Sequence, residues 1–131
     1  METTFLIIDD DIDFRRMIRY LIGKYQLGVV IAECGDGLEA ESVIHEFHPD
    51  IVVVDLLLPG QCGMELTKKI SNTNHEISFI MTSACSNESL ITQAYLSGID
   101  CYLPKPINAL DFTCAIKKVD ENRGIEFSKS S

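Results

Sequence analysis

The chain has 131 residues, which suits one ordinary domain, and 46% hydrophobic content is enough for a real core. Its formal net charge of −9 implies that the domain by itself is repelled by nucleic-acid phosphates and by anionic lipid. No apolar run approaches the roughly 20 residues of a membrane span, and Met1-Glu2-Thr3-Thr4 places no basic region before an apolar one, so no secretory signal is expected and a cytoplasmic location is.

Phe5-Leu6-Ile7-Ile8 reads as a first strand, near 4–8, and runs into Asp9-Asp10. Ile12 to Tyr25 carries Phe14, Met17, Ile18, Leu21 and Ile22 at helical spacing, an amphipathic helix. Gly28 opens a second strand, Val29-Val30-Ile31-Ala32. Asp36 precedes a helix whose stripe is Leu38, Val43, Ile44 and Phe47, and Pro49 stops it. Ile51 to Val54 is continuously apolar, which predicts a strand buried on both faces and hence central; it runs into Asp55. Pro59-Gly60 marks a turn before a short helix from Gly63 to about Ser71.

Ile77 to Met81 is a fourth strand running into Thr82-Ser83. Ser86 or Asn87 caps a helix that ends at Ser97, with Gly98 as its stop. Cys101-Tyr102-Leu103 is a brief fifth strand leading through Pro104 into Lys105. The last helix starts near Asn108 or Ala109, with Leu110, Ala115, Ile116 and Val119 as its packing face. Residues 125–131, which end in the small and polar Ser128-Lys129-Ser130-Ser131, read as a tail or the start of a linker, leaving residues 1–124 as the domain. Five widely spaced cysteines (Cys34, Cys62, Cys85, Cys101, Cys114) form no Cys-x-x-Cys pair, so reduced thiols are expected rather than disulfides or zinc.

Strand–helix alternation with short connections predicts an α/β domain with a parallel sheet covered on both faces. In such sheets ligands sit outside the carboxyl ends of the strands. Asp9, Asp10 and Asp55, the Ser83 hydroxyl and the Lys105 ammonium then share one edge, as a site for a divalent cation and a phosphoryl group demands. Hard carboxylate oxygens suit magnesium. Asp55, after four buried-type residues, needs a cation or a proton nearby, and carboxylates of this kind form aspartyl phosphates. Each residue alone has a plainer reading. Asp11 or Asp13 caps a helix, Ser83 is a cap, Thr82 competes with Ser83 for the phosphoryl role, and Lys105 is an exposed lysine between prolines. Lys105-Pro106 is the candidate for a cis bond.

With these residues in view, the chain resembles the receiver domain of two-component response regulators. Phe5-Leu-Ile-Ile-Asp-Asp-Asp with Arg15-Arg16, Asp55-Leu-Leu-Leu-Pro-Gly-Gln-Cys-Gly63-Met-Glu-Leu66, Met81-Thr-Ser-Ala84 and Tyr102-Leu-Pro-Lys-Pro106 resemble its signatures across residues 4–122. The resemblance implies a doubly wound, five-stranded, flavodoxin-like (βα)5 fold. It makes Asp55 the phosphoacceptor of a sensor histidine kinase. It makes Asp10 and Asp55 direct ligands of Mg2+, with the Leu57 backbone carbonyl, and gives Asp9 a role through water. Ser83 and Lys105 bind phosphoryl oxygens, and Tyr102 is an aromatic switch that turns inward with Ser83; its plainer reading is a half-buried strand aromatic. The face of the fourth helix, fifth strand and fifth helix is then remodelled. That face serves a partner, a homodimer or a C-terminal DNA-binding domain absent from this chain. A switch of this kind is not an enzyme with a turnover product. The alternatives are a stand-alone receiver acting by protein–protein interaction and a magnesium-dependent aspartate-nucleophile phosphatase. The latter class is disfavoured because it places an Asp-x-Asp pair on its first strand. Leu57 and Cys85, which flank the phosphoryl group in the family, are non-acidic here, and slow self-dephosphorylation follows as an expectation.

Overall fold

Strands and helices alternate from the first described residue to the last in the computed structural model of the chain, which describes residues 2–85 and 87–130, with side chains through residue 123. The order is β1 (Thr4–Ile8), α1 (Ile12–Lys24), β2 (Val29–Cys34), α2 (Gly37–Phe47), β3 (Ile51–Asp55), α3 (Gly63–Thr73), β4 (Ser78–Ser83), α4 (Glu88–Leu96), β5 (Cys101–Pro104) and α5 (Ala109–Ser130). The strands form one parallel sheet in the order β2-β1-β3-β4-β5. This is the flavodoxin-like order, with β3 in the centre and every one of its residues buried.

Period-two alternation divides the strand side chains between two cores. Leu6, Ile8, Val52, Val54, Phe79 and Met81 pack beneath α2, α3 and α4. Phe5, Ile7, Ile51, Val53 and Ile80 pack against α1 and α5. The helices therefore cover both faces, and the carboxyl ends of the strands stay open. No helix among the described residues is long and apolar enough to cross a membrane.

The caps follow side-chain chemistry. The Asp11 carboxylate accepts from the N–H groups of Asp13 and Phe14 at the start of α1, and Asp36 accepts from Leu38 at the start of α2. Asn87 caps α4, while Ser86 lies outside the described residues. Gly98, at φ 114°, ends α4 in a backbone shape that glycine adopts without strain. Asn108 accepts from Leu110 and Asp111 and starts α5. That helix continues to Ser130, through residues assigned above to a tail or linker, and Ser131 lies outside the described residues. The five cysteines are free.

Two predicted helix faces are corrected. In α2, Leu38 is 67% exposed and Phe47 is exposed as well, while Ala40 and Ile44 fill the core. The first turn of α2 overhangs the loop after β3, where the Gly37 N–H donates to the Pro59 carbonyl at 3.0 Å, so Leu38 meets that loop instead of the sheet. In α5, Leu110 is 70% exposed and Phe112 is fully buried. Phe112, Ala115, Ile116 and Val119 keep the i, i+3, i+4, i+7 spacing, and Leu110 lies two residues out of that phase.

Candidate functional site

β1 and β3 lie side by side, yet their connections leave in opposite directions, to β2 and to β4. That divergence opens a crevice at their carboxyl ends. Ile8 is in register with Val54, so Asp9 and Asp55 emerge level with each other. Ser83 is in register with Pro104, which sets Lys105 one residue beyond. Pairing alone thus brings together residues from four separated stretches of chain.

Each side chain is then fixed locally. The Asp9 N–H donates to the Cys34 carbonyl at 3.0 Å. Its Oδ1 accepts from the Asp11 N–H at 2.8 Å, and its Oδ2 lies 2.8 Å from Lys105 Nζ. The Asp55 Oδ2 lies 3.4 Å from the same ammonium, and its Oδ1 accepts from the Leu57 N–H at 3.3 Å. Lys105 therefore pairs with both buried aspartates, and Asp9 rather than Asp55 is its nearer partner. The Lys105 N–H donates to the Ser83 carbonyl at 2.8 Å, tying the loop to β4, and the Lys105-Pro106 bond is cis as expected.

Electrostatics follow from this crowding. Burial raises the pKa of Asp55 above the ordinary carboxylate value, and the Asp9 charge raises it further. Lys105 and the Leu57 N–H oppose that shift without cancelling it. For Lys105, burial pulls the pKa down, but the hydrogen bond it donates to Asp9 and the charges of Asp55 and Asp9 outweigh it, so the net shift is upward. The ammonium stays charged.

Ser83 and Thr82 are both buried and diverge as strand alternation requires. The Thr82 hydroxyl donates to the Val54 carbonyl at 3.5 Å, inside the sheet. The Ser83 Oγ instead accepts from the Cys85 N–H at 3.0 Å, in the loop that follows β4. Tyr102 is buried rather than half-buried, and its hydroxyl donates to the Cys85 carbonyl. Its N–H donates to the Tyr95 hydroxyl oxygen at 3.1 Å. Asp10 is exposed at the rim, and it lines the mouth together with Leu57, Pro59 and Gly60. Asp11 and Asp13 sit in the α1 cap and first turn, outside the cluster.

Two residues at the site were not singled out by the sequence. Arg15 Nη1 donates to the Asp9 carbonyl at 2.5 Å while its Nε pairs with Glu33 at 3.2 Å, so the first turn of α1 is bolted to the end of β1. The signal was present only as the Arg15-Arg16 pair. The other is Phe14, whose ring lies under Lys105.

Asp9, Asp10 and Asp55 each offer a carboxylate oxygen, and these atoms lie within 4.8 Å of one another. One ammonium faces two of them, so the cluster keeps an excess of negative charge. Oxygen-only donors with an exposed member at the mouth fit a hard, partly hydrated divalent cation such as magnesium.

The model of the response regulator receiver domain matches residues 5–117. The transcriptional regulatory protein GlnL of Bacillus subtilis (strain 168) is 34% identical over 125 residues, covering 95% of this chain and 40% of that protein. The chemotaxis protein CheY of Listeria monocytogenes serovar 1/2a is 33% identical over 104 residues, covering 79% of this chain and 87% of that protein. The crystal structure of a two-component response regulator of the LuxR family from Aurantimonas sp. SI85-9A1 superposes with a TM-score of 0.84 at 28% identity, covering 91% of this chain and 85% of that one. The chain spans only 40% to 60% of the length of the first regulators it matches. Sheet order, acidic crevice and sequence likeness agree, and the chain belongs to the receiver domains of two-component response regulators.

Proposed function

We propose that the chain is a phosphorylation-dependent switch in which Asp55 accepts a phosphoryl group from a phosphohistidine of a sensor kinase. An Asp55 carboxylate oxygen attacks phosphorus, the P–O bond forms as the P–N bond breaks, and the imidazole leaves with the nitrogen electron pair and takes up a proton. One observation carries the reading: Asp55 and Asp9 converge on the Lys105 ammonium beside Ser83 at one sheet edge.

Asp10, Asp55 and the Leu57 carbonyl are the groups to hold Mg2+ directly. Both Asp9 oxygens are already engaged by Asp11 and Lys105, which supports its action at one remove. When bound, the ion offsets negative charge on the transferring group. Lys105 swings from carboxylate to phosphoryl oxygen, and the Ser83 hydroxyl donates to another. Ser83 and Tyr102 both contact Cys85, one through its N–H and one through its carbonyl, so a shift of Ser83 is passed to the aromatic residue. The loop before α4 moves with them, and the α4-β5-α5 face changes population.

On this reading the chain is a switch, not an enzyme with turnover, and it acts in the cytoplasm. Residues 1–124 form the receiver, and α5 carries the chain on to Ser130. The match to longer transcriptional regulators favours a DNA-binding output, with a homodimer through α4-β5-α5 as the active form. Intact mass after incubation with acetyl phosphate and magnesium tests the chemistry. One added phosphoryl is expected on the wild type and none on Asp55→Asn or in chelator. A phosphoryl that persists on Asp55→Asn overturns the assignment.

A further inference from the structure

Helical spacing assigns Phe14 to the buried stripe of α1, and it does pack partly buried against the core shared by α1 and α5. It also has a second contact that spacing does not reveal. Lys105 Nζ stands over the Phe14 ring, 4.1 Å from its centroid. We propose that Phe14 is a positioning residue for Lys105, holding the ammonium in the site through its π-face while leaving it free to turn between acceptors. The inference rests on the receiver reading given above.

An ammonium has three N–H donors on a flexible stem. In the resting site two directions are taken by Asp9 at 2.8 Å and Asp55 at 3.4 Å. The ring covers another side. A hydrogen-bond acceptor in that place would pull the ammonium in one direction. A ring quadrupole attracts the cation without a fixed donor direction. Lys105 can then exchange carboxylate for phosphoryl oxygens and keep the same underlying contact. The position of the ring is itself secured, because the first turn of α1 is capped by Asp11 and Arg15 of the same turn holds the Asp9 carbonyl. One helical turn thus fixes both an acceptor of Lys105 and the surface on which Lys105 rests.

The test is graded fluorination of the Phe14 ring in the full chain, beside Phe14→Leu. Fluorine withdraws electron density from the π-face and changes shape and hydrophobicity little. The logarithm of the rate of phosphorylation by acetyl phosphate is expected to fall stepwise with each fluorine. The total loss is about three- to tenfold, and Phe14→Leu lies near the trifluorinated end. The urea midpoints of the fluorinated chains fall far less than that of Phe14→Leu, which also loses packing, and this separates positioning from packing. A flat rate across the series overturns the proposal. A readout independent of phosphorylation accompanies it: the Lys105 side-chain protons, shifted upfield by the ring current in the wild type, move downfield in Phe14→Leu. No such upfield shift in the wild type also overturns the proposal. Failure of the wild type to take a phosphoryl group strikes the receiver chemistry instead, and the ring-current measurement then still decides the contact.

Discussion

Replacing Lys105 by methionine keeps most of the unbranched side chain and deletes its charge. Asp9 and Asp55 then face each other without the cation between them. Removing one partner of a fully buried pair costs about 3–5 kcal/mol, mostly because a charge is left uncompensated. The Lys105 side chain is 22% exposed, and water at the mouth screens what remains, so the expected loss is about 2 kcal/mol near neutral pH in chelator. Magnesium reverses much of it. The ion binds the carboxylates that the ammonium neutralised, so the variant gains more from it than the wild type does. At a hundredfold excess over its dissociation constant an ion stabilises the folded chain by about 2.7 kcal/mol. Urea midpoints of both proteins, in chelator and in saturating magnesium, give the four numbers needed. The gap between them should be wide without the metal and narrow with it. It should also close in acid, where the carboxylates are protonated. Equal gaps in chelator and in magnesium would refute the reasoning, because Lys105 and the ion would then not share their partners.

Four further outcomes are expected. Asp55 binds its proton more tightly in the folded chain than in the unfolded one, so its charge costs stability as pH rises from the ordinary carboxylate range through the raised folded value. Asp55→Asn should therefore melt with the wild type in acid and above it at about pH 7, both in chelator, and coincident melting at the higher pH contradicts this. A Cβ on Gly63 would overlap the Asp55 carbonyl oxygen and stand 3.1 Å from its carbon, whereas Gly23 has nothing within 4 Å. Gly63→Ala should cost more than about 2 kcal/mol and abolish phosphorylation, and Gly23→Ala should gain about 0.5–1 kcal/mol by urea unfolding. Phe112→Ala should cost about 3–5 kcal/mol and Leu110→Ala about 0.5 kcal/mol or less, which urea midpoints can separate. Leu57 and Cys85 carry no carboxylate or amide to orient water, so the aspartyl phosphate should be long-lived, and Leu57→Asn should speed phosphate release in a time course.

The fold was legible because strand signals here are continuous. Ile51 to Val54 is apolar without a break, which put β3 in the centre before any pairing was known. The candidate site was legible for the same reason, since a polar residue that ends a buried strand of a parallel sheet has one place to go. The helix faces were less so. Periodicity finds a stripe but does not say whether the first turn lies over the sheet or beyond it, and Leu38 and Leu110 are both first-turn residues. Their hydrophobicity is real, yet both side chains are exposed. Phe112 completes the spacing of Ala115, Ile116 and Val119, so the signal for the buried face lies in the sequence at a phase that Leu110 obscures.

The partners inside the site show what one-dimensional reading lacks. Lys105 and Asp55 face each other across the crevice, and the pairing of a strand-end lysine with a strand-end aspartate follows from charge alone. Asp9 as the nearer partner does not. It depends on the Asp9 N–H being drawn to the end of β2 and on Arg15 holding the Asp9 carbonyl from α1. Those bonds turn a carboxylate oxygen toward Lys105, and they belong to the β2 edge and to α1, far from Asp55 in sequence. The consequence concerns the switch itself. Before transfer, the ammonium is shared unequally, 2.8 Å from Asp9 and 3.4 Å from Asp55. Asp55 is thus the more weakly held of the two, which suits the proposed transfer, in which an Asp55 oxygen attacks phosphorus. A site that pinned Asp55 as firmly as Asp9 would have to break its strongest ion pair before each transfer.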